Sequence, residues 1–399
     1  MNVTAVRVGF CEYGAGYGGA VISLEAFLKK APEHIRPYIY TKLDTPEYRN
    51  LARFGNRRHI KPFSIIGRQK LNHLSPSLAT TFDNIANLAP QVLQFYYAFK
   101  RDAIELVYLN NDPSCNLAMA IAARIAKLPC ILHARGFSAD TKGTRWVLSN
   151  ITHCIAVSRA IKNELIGLGF PSEKCTIVPE GLETKFFYPR ASSFKLREEL
   201  GLTGLEPVVT LVGGLVDWKG QDVLLDASPY IFKEFPNTHI LIVGSAYGSS
   251  DHYARMLQEK VAKSEYHGQI RLLGARADVP DILSISSVVL HTSIKPEPFG
   301  RTFLEGMAMG KAVIASNEGG PVEVIENEID GLLIEPRHPQ RLAESINRLL
   351  RDPKFANTLG GNAAKKAAFY SIENHSASIV NVIECVMQKS LYGRKPHAH

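Results

Sequence analysis

The sequence predicts an α/β protein of two doubly wound domains, each a parallel sheet covered by helices. Three observations predict it: a length of 399 residues, a strand–turn–helix rhythm that recurs along the chain, and a single break in that rhythm near the middle. A chain this long exceeds one ordinary core, and two domains of about 150–200 residues each follow. Apolar residues make up 45% and charged residues 21% of the sequence, the balance of a globular protein.

The first strand is Val6–Phe10, and it runs into a glycine-rich turn from Gly14 to Gly19 and an amphipathic helix over Ala20–Leu28. Leu106–Leu109 is the next clear strand, followed by a helix near Asn116–Lys127 and a strand at Cys130–His133. Cys154–Val157 then leads through Ser158, an N-cap residue type, into a helix near Ala160–Gly167. Alternation of this kind calls for a parallel sheet. Between Pro179 and Leu202 turn residues replace the strand period, so the domains are expected at residues 1–188 and 189–371. The second series has strands at Val208–Val212, His239–Val243, Gln269–Leu273, Val288–His291 and Ala312–Ala315. Two Rossmann-like halves result. Residues 372–399 hold an amphipathic helix, Ile372–Leu391, whose pattern suits docking on either half and which is expected to return to the N-terminal domain.

Charge divides the halves. Residues 1–189 carry 23 Lys/Arg against 14 Asp/Glu, whereas residues 190–399 carry 23 against 24. Within the basic half, Arg49–Lys70 holds seven Lys/Arg and no acid, interleaved with Phe54, Ile60, Phe63, Ile65 and Ile66. Such a mixture suits an anionic membrane surface, where each nearby cation adds about 1 kcal/mol; a solvated face is the plainer alternative. Nucleic acid is not an expected partner, because no helix-turn-helix, RNA-binding or zinc-finger pattern accompanies the charge. The six cysteines are scattered and read as buried thiols. No H-E-x-x-H or D-x-D is present, so no metal site is expected. The most apolar stretch, Asn116–Ala134, is interrupted by Arg124 and Lys127, and the N-terminus lacks a basic leader and apolar core. The expected location is the cytoplasm, peripheral on the inner face of the membrane if the basic run engages lipid.

Two motifs carry chemistry. Gly14, Gly16 and Gly19 spell the dinucleotide fingerprint, but its acid at the end of the second strand is missing: Tyr38–Tyr40 is followed by Thr41-Lys42, and Asp44 comes late. A nicotinamide or flavin enzyme therefore stays a weaker alternative. The stronger signal is Ser293 to Glu305, which sets Glu297 and Glu305 eight apart across a loop and a helix start. Pro298 and Gly300 end any strand, and the helix from Phe303 stops at Gly310. Amides near Gly300–Phe303 face an anionic phosphate, Glu305 accepts from ribose hydroxyls, and Glu297 reaches a sugar at the loop. Paired carboxylates also admit a hydrolase reading, but their different depths on a phosphate-binding element suit two parts of one ligand.

This region resembles glycosyltransferase family 4, whose retaining members carry a glutamate, seven residues and a second glutamate here. The resemblance continues through Gly310–Ser316, Gly319–Glu323 and Asp330–Leu333. It includes Gly213–Gly220, Gly274–Val279 and Val178–Gly181, and it covers almost the whole chain. It implies the GT-B fold, two Rossmann-like domains facing each other across a cleft. It also implies transfer of a sugar from a UDP- or GDP-sugar to a glycan or lipid-linked acceptor, with retention and with neither metal nor cofactor.

Roles follow from the resemblance residue by residue. Glu297, helped by the Phe299 and Gly300 amides, would bind donor-sugar hydroxyls, and Glu305 the ribose. Lys219 would neutralise the departing diphosphate. His133 would lie near the reacting sugar. Gly18 and Gly19 would let backbone approach donor phosphate or acceptor without a Cβ in the way. Gly213, Gly214, Pro298, Arg301 and Thr302 would complete the donor site. One departure stands out: the family usually has arginine at the position of Gly214, so Arg276 or Arg301 becomes the candidate replacement cation. A sugar-nucleotide epimerase of the same fold and a noncatalytic sugar-nucleotide-binding protein are the rival readings.

Overall fold

The computed structural model describes residues 5–14, 16, 18–62, 84–202, 204–246 and 250–392. It divides into two compact units, Met1–Pro179 with Glu373–His399, and Glu180–Ile372.

The first unit is a seven-stranded, all-parallel sheet in the order β3-β2-β1-β4-β5-β6-β7. The strands are β1 (Val6–Glu12), β2 (Ile35–Thr41), β3 (Asn56–His59), β4 (Leu106–Asn110), β5 (Cys130–Ala134), β6 (His153–Ala156) and β7 (Cys175–Ile177). The central strands β4 and β5 are buried at every residue, as helices on both faces of a parallel sheet require. Ser158 caps the helix Arg159–Gly167, its hydroxyl accepting from the Ile161 amide at 3.2 Å. The edge strand β3 lies inside the basic run and reads Asn-Arg-Arg-His; a polar strand fits an edge, where charge blocks further pairing. It carries no hydrophobic period and is invisible to a pattern search. The last helix, Ile372–Tyr392, places Ile379, Val382, Ile383 and Val386 in one apolar cluster with Val8, Phe10, Val21 and Phe27. His34 meets Glu384 at 2.9 Å at its surface.

The second unit is a six-stranded parallel sheet, β10-β9-β8-β11-β12-β13. Its strands are β8 (Val208–Val212), β9 (His239–Val243), β10 (Ile270–Gly274), β11 (Val288–His291), β12 (Ala312–Ser316) and β13 (Leu332–Ile334). Both sheets have the strand order of two Rossmann-like domains, as predicted, with order reversing between β1 and β4 and between β8 and β11. The units part at Pro179/Glu180 rather than at Tyr188/Pro189. The reason is backbone pairing: the Leu182 amide donates to the Tyr370 carbonyl at 2.8 Å and the Ile372 amide to the Leu182 carbonyl at 2.9 Å, tying residues 180–188 to the second unit. Among the described residues no helix is long and apolar enough to cross a membrane.

Candidate functional site

In open parallel sheets ligands bind beyond the carboxyl ends of the strands where the order reverses. In the second unit those ends are Gly213–Gly214 after β8 and Thr292–Glu297 after β11. Lys219 follows β8 in a short 3-10 turn, Asp217–Lys219, which ends at Gly220 in the left-handed region (φ 71°). A Cβ on Gly220 would lie 2.2 Å from the Thr292 carbonyl oxygen, so only glycine lets this turn pack on the end of β11. The Ile294 amide closes the contact on the Trp218 carbonyl at 2.8 Å.

This packing delivers Lys219 Nζ to Glu297 Oε2 at 2.7 Å. The same oxygen accepts from Ser293 Oγ at 2.9 Å and lies 3.4 Å from His291 Nε2. Burial alone would push the Glu297 carboxyl up, but the Lys219 charge and the His291 ring override it and hold the group well below the usual carboxylate range. His291 is pushed the other way, down, by its burial, and its Nδ1 meets Thr302 Oγ1 at 2.9 Å. Glu297 is thus an ionised, oriented acceptor on a loop. His291 and Ser293 are site residues that motif reading did not single out; the available signal was their polarity at the end of a central strand.

Glycines shape the loop. Gly300 has φ 90°, and a Cβ there would meet His291 Nε2 at 2.9 Å. Gly319 bridges Glu297 in parallel fashion; its Cβ would stand 2.2 Å from the Glu297 carbonyl oxygen, at φ 71°. Gly319→Ala is therefore expected to destabilise the protein by about 2 kcal/mol, read as a lowered thermal midpoint. An unchanged midpoint would mean that the loop does not pack this way. Gly306 is demanded by packing as well, since its Cβ would lie 2.8 Å from Val289 Cγ1.

The helix after the loop is Thr302–Ala308, under two turns, so its dipole is small. Its amides at Thr302, Phe303 and Leu304 have no hydrogen-bond partner among the described residues; Glu305 is the first to bond, to the Arg301 carbonyl at 2.9 Å. The Glu305 side chain is half-buried, and no partner accompanies its carboxylate among the described residues. Burial pushes its pKa up, with Arg301 only partly opposing. Arg301 Nη1 is itself buried without a partner among the described residues. Arg276, by contrast, is committed to carboxylates: Nε donates to Asp278 at 2.8 Å and Nη1 to Glu199 at 3.0 Å. Of the two candidate replacements for a cation at Gly214, Arg301 is the one left with unmet hydrogen-bonding capacity.

In the first unit the reversal point joins the ends of β1, β4 and β5. The buried Glu12 carboxylate accepts from the Gly14 amide at 2.9 Å and from Asn111 Nδ2 at 2.7 Å, and also from Asn110. A Cβ on Gly14 would strike Glu12 and Asn111 at 2.8 Å, whereas Cβ atoms at Gly16, Gly18 and Gly19 would meet nothing within 4 Å among the described residues. The last three are not demanded by the unit's own packing, which leaves their backbone open to a ligand. Arg135 Nε donates to Asn110 Oδ1 at 2.6 Å and Nη1 to Ser23 Oγ at 2.8 Å. His133 is 0% exposed, beside Tyr108 and Arg135, with its ring centroid 6.0 Å from that of His375. Burial, then Arg135 and His375, drives its pKa well down. Its Nδ1 is engaged by these neighbours, while its Nε2 is buried without a hydrogen-bond partner among the described residues.

Four of the five described cations of the basic run pair with acids from outside it. Arg49 and Arg57 pair with Asp44 at 3.1 and 2.8 Å, Arg53 with Glu25, and Arg58 Nε donates to Asp102 at 2.7 Å. Phe63 to Lys70 lie outside the described residues.

Comparison with known proteins gives the family and the fold. Residues 192–366 match the family described as Glycosyl transferases group 1, and residues 17–186 match Glycosyltransferase Family 4. Spore coat protein SA of Bacillus subtilis is 29% identical over 283 residues, 67% of this chain and 74% of that protein. The UDP-Gal:alpha-D-GlcNAc-diphosphoundecaprenol alpha-1,3-galactosyltransferase of Escherichia coli is 26% identical over 309 residues, 73% and 77% of the two chains. The fold matches Alr3699/HepE from Anabaena, solved in complex with UDP, at a TM-score of 0.80 and 24% identity, over 95% of this chain and 100% of that one.

Proposed function

The chain belongs to glycosyltransferase family 4, and from that premise we propose that it transfers a sugar from a nucleotide-sugar donor to a hydroxyl of a glycan or lipid-linked acceptor, with retention and without a metal. The observation that carries this reading is the Lys219–Glu297 pair at the reversal point of the second sheet. A cation and an ionised carboxylate side by side suit the two ends of a sugar–diphosphate bond. When that bond breaks, the electron pair leaves with the diphosphate and positive charge builds at the anomeric carbon. Lys219 and the Thr302–Leu304 amides stabilise the leaving group, and Glu297 holds the sugar through its hydroxyls. The acceptor oxygen bonds to the same face of the sugar, and its proton passes to the diphosphate. Glu305, a half-buried carboxylate with little compensation, gains two donors from a ribose. The glycine loop of the first unit is assigned to phosphate or acceptor approach.

The E. coli relative named for a UDP-sugar and a diphosphoundecaprenol-linked acceptor favours a UDP-sugar and a lipid-linked glycan here, on the inner face of the membrane. The test is thermal stabilisation across UDP-, GDP- and ADP-sugars with NAD as control. One sugar-nucleotide set should raise stability by about 2.7 kcal/mol at a hundredfold excess over its Kd; a shift with NAD alone overturns the reading. A second reading, a noncatalytic sugar-nucleotide binder, is favoured by Gly214 and by the commitment of Arg276 to Asp278 and Glu199. It predicts the same stabilisation with no release of nucleotide from the donor.

A further inference from the structure

A pocket of about 840 Å³ opens at the edge of the first unit's sheet, lined by Arg57, Arg58, Lys61, Lys100 and Arg101 among others. Because every strand of this sheet runs parallel, the residues after β3 emerge on the same border as those after β1. The two are joined directly: the Tyr13 hydroxyl donates to the Ile60 carbonyl, and Gln91 Nε2 donates to Tyr13 OH at 3.3 Å. The Ile60–Lys61 end of the pocket therefore adjoins Tyr13 on the carboxyl border of the sheet, while Lys100 and Arg101, which end the helix preceding β4, line its other end.

Its charge is assembled at a cost. Asp102, whose side chain is 3% exposed, orients Arg58 and accepts from Tyr40 at 2.9 Å; Asp44 takes Arg57. These two acids face five cations. Lys61 has no ion pair among the described residues, Lys100 stands 5.9 Å above the Tyr96 ring, and Arg101 reaches only Asp102, at 3.4 Å. Like charges gathered around one concavity repel until an anion enters. Beside them Tyr97 is 66% and Leu93 53% exposed, one helical turn apart.

We propose that this pocket binds a phosphate or diphosphate group of the acceptor, apart from the donor site of the second unit. The inference rests on the transferase reading for the word acceptor alone; the anion site stands on the cavity and its charges. The shared chemistry is a phosphoryl group, on a soluble acceptor or on a lipid headgroup.

The test uses the full chain with Lys219→Ala, which weakens anion capture at the donor site, and titrates inorganic pyrophosphate by calorimetry. Adding Lys61→Ala, Lys100→Ala and Arg101→Ala should weaken that binding about a hundredfold, with far-ultraviolet dichroism unchanged. A parallel arm measures flotation with phosphatidylcholine vesicles, plain or with phosphatidylglycerol. Loss of pyrophosphate binding supports a discrete phosphate site; loss of phosphatidylglycerol-dependent flotation alone supports the site with a lipid headgroup as source. If the three substitutions change neither, the proposal is overturned. Stabilisation by nucleotide-sugars, with Lys219 intact and these three replaced, reports on the transferase reading independently.

Discussion

Glu297→Gln is expected to lower turnover about a hundred- to a thousandfold while leaving affinity for the bare nucleoside diphosphate unchanged or tighter. The carboxylate is needed where positive charge develops on the sugar, and an amide retains its shape without its charge. In the ligand-free protein the same carboxylate occupies Lys219 at 2.7 Å, so neutralising it frees the lysine for the diphosphate. Turnover is measured as nucleotide release by slow transfer to water, and affinity by calorimetry. A parallel loss of both would mean that Glu297 serves the site only by holding Lys219 in place. The pH dependence has a definite sign. A folded-state pKa held below the ordinary glutamate value of about 4.3 stabilises the fold above that value, and the contribution is lost only as pH falls through the depressed one. Between pH 5 and 9 the Glu297 charge is constant, and an acidic limb of the rate in that range belongs to another group.

Glu305→Gln should act oppositely on stability and binding. Burial raises this carboxyl, so a penalty for ionising it in the folded state appears as pH rises through about 4.3 and is complete above the raised value. At pH 7 the amide relieves that penalty, and the ligand-free protein should gain about 1–2 kcal/mol, a thermal midpoint higher by about 2–8 °C. Nucleotide affinity should fall about 10- to 100-fold, the worth of charge-assisted hydrogen bonds to hydroxyls. Calorimetric unfolding and nucleotide titration of the two proteins test this together. A destabilised variant with unchanged affinity would make Glu305 a structural acid.

Much of this was legible in the sequence because buried parallel strands are runs of apolar residues. Val208–Val212, His239–Val243 and Val288–His291 stand where the pattern put them, and Ser158 caps the helix it was expected to cap. Strand β3 was hidden because an edge strand of Asn, Arg, Arg and His owes its place to pairing with β2 and to Asp102 and Asp44. The basic run looked unneutralised because its acids lie outside it, Asp44 just before and Glu25 and Asp102 farther off along the chain. The spacing of Glu297 and Glu305 marked the site. The opposite directions in which their pKa values move depend on Lys219 and His291, brought to one carboxylate and not to the other. His133 reads from sequence as a polar residue at a strand end. Only the surrounding Tyr108, Arg135 and His375 show it to be enclosed.

The first unit is assembled from both ends of the chain, with Ile379, Val382, Ile383 and Val386 completing the cluster around Val8 and Phe10. During synthesis the contiguous second unit is finished by Ile372, while the first still lacks its closing helix. A nascent chain therefore carries an uncovered apolar face from the emergence of β1 until Ile379–Val386 have left the ribosome. Termination between Ile372 and Ile379 would leave the second unit's sheet complete and the first uncovered, a species prone to aggregate rather than a half-active enzyme.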